Sequence, residues 1–320
     1  MNAAETRKKS LGKSLIPWLV RLMALMAIAA WLSTHLDLET LPKDILTHGW
    51  AIALVACLGC FNLAIAAIRW RTLMFGFGAT DRPRFGHLFR LNLIGHFYNI
   101  FVPGAVGGDL GRAFIARRCF KAASASYFVI VSERMIGLAA LGVFFGIGIL
   151  TGPELKGVED GGVWSLVLMG LLALVIGGGL LGRRIARWWT GAPQLESPMA
   201  VVVATGLSLF THSITILGFW VLTHSMELGL SVLDLAVIVP IALVASVVPL
   251  AIAGLGPREA ALVAILPLLE LGTAEQALAL SIGFAMSNWL LGGAGGLIHL
   301  ILGKSAHELS DQDTPETEPS

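Results

Sequence analysis

Apolar runs about twenty residues long recur along this chain, and they leave it one way to fold. They cover 15–34, 50–74, 126–149, 163–182, 200–222, 231–250 and 276–302. A helix rises about 1.5 Å per residue, so twenty residues match a hydrocarbon core about 30 Å thick. The rival reading is a soluble domain with buried core helices, and charge decides against it. Only 13% of the 320 residues are Asp, Glu, Lys or Arg, against about 25% in a typical soluble domain. The expected fold class is therefore an all-α polytopic integral membrane protein with about seven full spans. Two shorter apolar segments, 87–101 and 259–270, lie beside Gly/Pro breaks and read as re-entrant or half-helices.

Basic residues assign sides to these spans. Lys8, Lys9 and Lys13 place the N-terminus in the cytoplasm, and no small-x-small cleavage site follows Leu15–Leu32 promptly. Arg69, Arg71, Arg82 and Arg84 bring the chain back to that side, and so do Arg117, Arg118 and Lys121. The segment between them must then enter and return. Arg183, Arg184 and Arg187, followed by Trp188 and Trp189, mark the same interface again. The loops at 35–48, 151–162 and 223–230 fall outside. The side of the C-terminus depends on whether 259–270 crosses. The chain reads as one transmembrane domain over 1–307, with halves at about 15–150 and 163–302. Residues 308–320 form an acidic, Pro-containing stretch expected to be disordered.

One motif occurs twice. Residues 102–112 read VPGAVGGDLGR, and residues 248–258 read VPLAIAGLGPR. Pro103 corresponds to Pro249, Gly108 to Gly254 and Arg112 to Arg258. Broken segments in corresponding halves of a membrane chain point to a binding site near the bilayer midplane, and they raise the expectation of an inverted repeat. Pro103 disfavours helix at Val102 and removes a donor. Gly104, Gly107 and Gly108 permit a tight turn or a close backbone approach. Asp109 is placed to cap the helix that follows, with Arg112 within one turn of its positive end. In the second copy, Gly254 and Gly256 make the loop, Pro257 suits the first helical turn and Glu259 falls where negative charge is favoured. The competing readings are a Gly-rich packing elbow for the first copy and an interfacial Arg–Glu pair for the second.

Ser132-Glu133-Arg134 is a third polar cluster, near the start of the 126–149 span. Intramembrane ionisable groups usually face protein or a water path, although these two also lie close enough to snorkel. Arg69 and Arg71 read as anchors at the end of the second span. His212, Asn288 and His299 each read as a helix–helix hydrogen bond. Cys57 and Cys60 have CxxC spacing within an apolar helix, which favours packing over redox chemistry. The chain has no metal-ligand spacing, nucleotide loop, Rossmann fingerprint or hydrolase elbow, so no cofactor and no metal is expected. A net charge of +1 gives no reason to expect nucleic acid.

Phe97-Tyr98-Asn99, Pro103-Gly104, Gly107-Gly108-Asp109 and Arg112 together resemble the membrane-domain family of bacterial lysylphosphatidylglycerol synthases. Ser132-Glu133-Arg134 resembles its second signature. Gly254-Leu255-Gly256 with Arg258-Glu259 resembles the third, with Pro257 as a departure that should tighten the turn. The resemblance spans roughly 15–302. It implies a stand-alone member without the aminoacyl-transfer domain, in a bacterial inner membrane, that moves lipid between leaflets rather than synthesising it. Membrane phospholipid or a polyprenyl or hopanoid lipid is then the expected partner. Tyr98, Asn99, Asp109, Arg112, Glu133, Arg134, Arg258 and Glu259 are the expected headgroup-binding residues. Two further readings stand beside it. One is an accessory protein for an envelope-lipid biosynthesis enzyme, in hopanoid or glycolipid biogenesis, and the other is a membrane transferase acting on a lipid-linked substrate. Lipid identity, direction, energy source and oligomeric state are left open by the sequence.

Overall fold

The computed structural model describes residues 48–81, 83–101, 107–151, 195–247, 251 and 253–311, with side chains as far as Ile301. Eight α-helices lie in these stretches: α1 (Gly49–Gly76), α2 (Phe85–Phe101), α3 (Gly107–Ala116), α4 (Ser124–Thr151), α5 (Pro198–Ser225), α6 (Val232–Ala245), α7 (Pro257–Leu268) and α8 (Ala274–Asp311). A 3-10 turn, Arg117–Cys119, joins α3 to the α4 segment.

The expected count of about seven full spans is overturned. Among the described residues only α1, α4, α5 and the Ala274–Ile301 part of α8 are long and apolar enough to cross a membrane. The reason is that apolar length is not helix length. The run 231–250 contains the second break, and its helix α6 stops at Ala245 after 14 residues, about 21 Å of rise. That falls short of a core about 30 Å thick. The segments read as half-helices form α2 with 17 residues and α7 with 12. The runs at 15–34 and 163–182 lie outside the described residues, as do Pro103, Gly104 and Pro249. Each half of the repeat expected from the twin motifs contains one of these undescribed runs. At the other end of the chain, α8 continues to Asp311, into the first residues of the acidic stretch.

Local sequence explains where several helices begin. Ser231 caps α6: its Oγ accepts from Asp234 N, while Asp234 Oδ2 accepts from Ser231 N at 2.9 Å. Pro198 and Pro257 sit at the first turns of α5 and α7, where a missing N–H costs nothing. Gly256, just before α7, has φ +144°, a region open to glycine.

Packing divides the helices into two apolar clusters at opposite ends. One gathers Ala51, Ile52 and Val55 of α1 with Phe145 of α4, Phe219 and Leu222 of α5, most of α6, and Leu262 and Leu266 of α7. The other gathers Trp70, Leu73 and Met74 of α1 with Leu88 of α2, Ala113 and Ala116 of α3, and Val129 of α4. α1 packs most extensively on α5, and α2 on α8. Close approach drives such contacts in lipid, where apolar burial between helices gains little. At the α2–α8 crossing a Cβ on Gly295 would fall on the Leu93 carbonyl oxygen. The two broken regions meet nearby: Gly254 packs against Ile100 near the end of α2, and Trp289 Nε1 of α8 donates to Ala253 O at 2.7 Å.

Candidate functional site

Between the apolar clusters, α1, α2, α3, α4 and α5 bring a set of charges together. Arg112 is the hub. Its Nη1 donates to Asn92 Oδ1 at 2.6 Å and its Nη2 to Asp109 Oδ1 at 2.7 Å, with Glu133 Oε2 at 3.7 Å. Its guanidinium lies 5.0 Å from the centroid of the Trp70 ring. Arg134 donates to Asp109 Oδ2 through Nε at 2.8 Å and also through Nη2. Arg69 donates through Nη2 to Glu133 Oε1 at 2.8 Å and through Nη1 to Ser208 Oγ at 2.9 Å. Among the described residues three guanidinium groups thus face two carboxylates, an excess of one positive charge. Four of these five side chains are buried or nearly so, whereas Arg134 is 60% exposed. The pairings are charge-assisted and fork-shaped, the geometry in which Arg outperforms Lys.

Depth follows from helix rise. Arg69 lies seven residues before the end of α1 and Glu133 nine after the start of α4, about 10 and 14 Å into their helices. Arg69 is therefore no anchor at a helix end. Composition hid this role, because Arg69 and Arg71 read together as an interfacial pair. The available signal was that the apolar run goes on past Arg69 to Leu73, Met74 and Phe75. Asn92 and Ser208 were missed as well, since each is one small polar residue in an apolar stretch.

The first break supports this cluster through backbone contact. Asn99 Oδ1 accepts from Gly108 N at 2.9 Å, near the start of α3. A Cβ on Gly108 would land on the Gly95 carbonyl oxygen, so α2 and α3 approach as closely as they do only because residue 108 has no side chain. Gly108→Ala should force the two backbones apart, costing about 1–3 kcal/mol, the usual penalty of overpacking. Gly111→Ala is the control, since nothing lies within 4 Å of its would-be Cβ and Ala favours helix. Thermal midpoints of the two variants in detergent should separate clearly. Equal midpoints would show that α3 shifts freely.

The second break forms a different assembly. Arg258 donates to Glu259 Oε1 through Nη2 at 2.6 Å and through Nε at 3.1 Å, and also to Ser281 Oγ and Ser281 O. Ser281 Oγ donates to Glu259 Oε1 at 2.7 Å, and Gly256 N to Glu259 Oε2 at 2.6 Å. One positive and one negative charge close on each other here. Arg258 meets α8 at Ser281, whereas α2 crosses α8 at Gly295, next to the Arg112 cluster. The fourteen residues between them span roughly 20 Å of helix. The structure therefore brings Asp109, Arg112, Glu133 and Arg134 together, and Arg258 with Glu259 elsewhere. Asn99 braces the first group. Tyr98 faces α8, where its hydroxyl lies 3.2 Å from His299 Nε2.

Several buried polar atoms near the cluster have no hydrogen-bond partner among the described residues: Glu133 Oε2, Arg69 Nε and Asn62 Oδ1. Asn62 Nδ2 donates to Thr215 Oγ1 at 3.1 Å, and His212 Nε2 donates to Gly137 O at 3.0 Å. A polar seam thus continues along α5 beyond Ser208. Among the described residues no group of three or more His, Cys, Asp or Glu is placed to hold a metal ion. Cys57, Cys60 and Cys119 are unpaired thiols. Burial, then the Asp81 carboxylate, push the Cys119 thiol up from its ordinary value.

Fold and site together define a class, the multi-pass helical membrane protein with a charged cluster enclosed by its helices. Residues 18–296 match the family described as the lysylphosphatidylglycerol synthase TM region, and the chain belongs to that family. No curated relative matches it.

Proposed function

We propose that this chain moves an anionic lipid between the leaflets of a bacterial cytoplasmic membrane, with its N-terminus on the cytoplasmic side. The observation that carries the reading is the charge excess at the cluster: three arginines against two carboxylates, enclosed by apolar helices and open at Arg134. A phosphodiester supplies the missing negative charge and fits guanidinium forks. Family membership favours a phospholipid of the phosphatidylglycerol type. Asp109 and Glu133 hold the arginines in place between turnovers. The Arg258–Glu259 pair secures the loop of the second break against α8. No covalent step is involved. With no nucleotide motif in the chain, uphill movement draws on an ion gradient, the membrane potential or removal of product.

The test is a leaflet assay in proteoliposomes with fluorescent phosphatidylglycerol. The intact chain should speed the change of side well above protein-free vesicles. Arg112→Lys keeps the charge but cannot bridge Asn92 and Asp109 as a fork. It should slow transport about tenfold or more, the loss of one charge-assisted contact worth about 1.5–3 kcal/mol. Intact protein no faster than empty vesicles would end the translocation reading, and full-rate Arg112→Lys would remove Arg112 from the path. Co-purification of an envelope-lipid enzyme with an inactive transporter would favour the accessory role.

A further inference from the structure

The outer face of α3 is built the wrong way round for water. Gly108, Asp109, Ala113 and Ala116 are buried and Arg112 nearly so. Leu110, Phe114 and Ile115, by contrast, are 54%, 53% and 46% exposed. A helix facing water hides its apolar stripe and shows its charges. α3 does the reverse, which suits contact with acyl chains. Its exposed face ends in charge: Arg117, Arg118 and Lys121 are exposed, and the Arg117 guanidinium sits 3.8 Å over the Phe114 ring. Asp81, beside Cys119, is the acid near this turn.

The edge of α4 beside it carries the second observation. Val131 is 51% exposed, and one turn later comes Arg134, the exposed member of the cluster. Among the described residues Asp109 is its carboxylate partner, met through Nε and Nη2, which leaves Nη1 outside that pair on a side chain 60% exposed. Asp109 lies eight residues before Arg117 on α3, about 12 Å below the basic turn. Where such an edge faces hydrocarbon, a guanidinium 60% exposed is costly. The cost disappears if an anion carried within the membrane meets it. Asp109 is also held twice, by Arg134 and by Arg112, so Arg134 can turn to another anion while Asp109 keeps a partner.

We propose that the edge between α3 and α4 is a lateral port for an anionic phospholipid from the leaflet on the Arg117 side. The phosphodiester passes from Arg117, Arg118 and Lys121 to Arg134, and the acyl chains stay against Leu110, Phe114 and Val131. This rests on the headgroup-binding reading of the cluster and adds the route and the leaflet of origin.

The test measures which lipid lies beside α3. Cys57, Cys60 and Cys119 are replaced by Ser in the full chain, and Leu110→Cys is labelled with bimane. The protein goes into phosphatidylcholine vesicles containing phosphatidylglycerol, with bromine on the acyl chains of one lipid or the other. Leu300→Cys, at a position 77% exposed on α8, is the control. Brominated phosphatidylglycerol should quench the Leu110→Cys label about fivefold more, mole for mole, than brominated phosphatidylcholine, the factor one basic residue near an anionic surface contributes. Arg134→Gln should bring the ratio towards one, Arg134→Lys should keep it, and the Leu300→Cys label should show no preference. Equal quenching by both lipids overturns the port, as does a preference that survives Arg134→Gln. Quenching by neither lipid shows the face covered by protein, a second copy included, and also overturns it. Loss of the preference on adding inorganic phosphate marks an aqueous anion site instead of a lipid port. The leaflet assay keeps the two ideas apart. Preference without transport leaves the port standing and ends translocation, whereas transport without preference does the opposite.

Discussion

Glu133→Ala should be among the most damaging single substitutions in the described part of this protein. Glu133 is buried, and its two carboxylate oxygens face two different arginines, Arg69 at 2.8 Å and Arg112 at 3.7 Å. Removing one partner of a buried pair costs about 3–5 kcal/mol, chiefly because the remaining charge is stranded. Here the excess of one positive charge becomes an excess of two, and among the described residues Arg69 keeps only Ser208 as a polar partner. The variant should accumulate poorly and melt far below the parent in detergent. Replacing both members of the pair separates stranded charge from lost volume. Arg69→Met combined with Glu133→Leu removes both charges and should recover much of the midpoint. A double variant as unstable as Glu133→Ala would mean that shape at this point matters more than charge.

The helical membrane class was legible because it depends on composition and run length, which a sequence displays directly. The starts of α1, α4, α5 and α8 fall close to the edges of their apolar runs for the same reason. The span count failed at α6, because hydropathy continues through a break that helix geometry does not, and Val248-Pro249 sits inside an apolar run. The cluster was legible in part. Asp109, Arg112, Glu133 and Arg134 announce themselves as charges in apolar surroundings. Arg69, Asn92 and Ser208 do not, because their roles depend on which helix faces are opposed, and the α1–α5 and α2–α3 packing is settled by residues far apart in sequence. The likeness of the two motifs does not extend to the partners of their arginines. Equal spacing of Gly and Arg gave both arginines the same expected role. The residue after each Arg separates them: Glu259 follows Arg258 and closes on it, whereas Ala113 follows Arg112 and leaves it free to reach across to Asn92 and Asp109.

Glu259→Ala should rival Glu133→Ala in stability but not in function. It strands Arg258, which is only 8% exposed, and it takes the acceptor from Gly256 N at the start of α7. The stranded charge alone costs about 3–5 kcal/mol, and a lost helix cap typically adds about 1 kcal/mol. Ser281 cannot compensate, because its hydroxyl is neutral and its own acceptor Glu259 Oε1 is gone. The Arg258–Glu259 pair carries no net charge, so its loss should loosen the α7–α8 packing without changing which lipid the protein selects. The discriminating measurement is the ratio of phosphatidylglycerol to phosphatidylcholine transport in whatever folded fraction survives, read beside the thermal midpoint. Glu259→Gln is the gentler form, since it keeps shape and an acceptor oxygen and should fold well enough to assay. It should lower the midpoint and leave the lipid ratio unchanged, whereas Arg112→Lys should lower the rate with a smaller loss of midpoint. A lipid ratio that shifts in Glu259→Gln would show that the second break meets the headgroup after all, and both arginines would then belong to one path through the membrane.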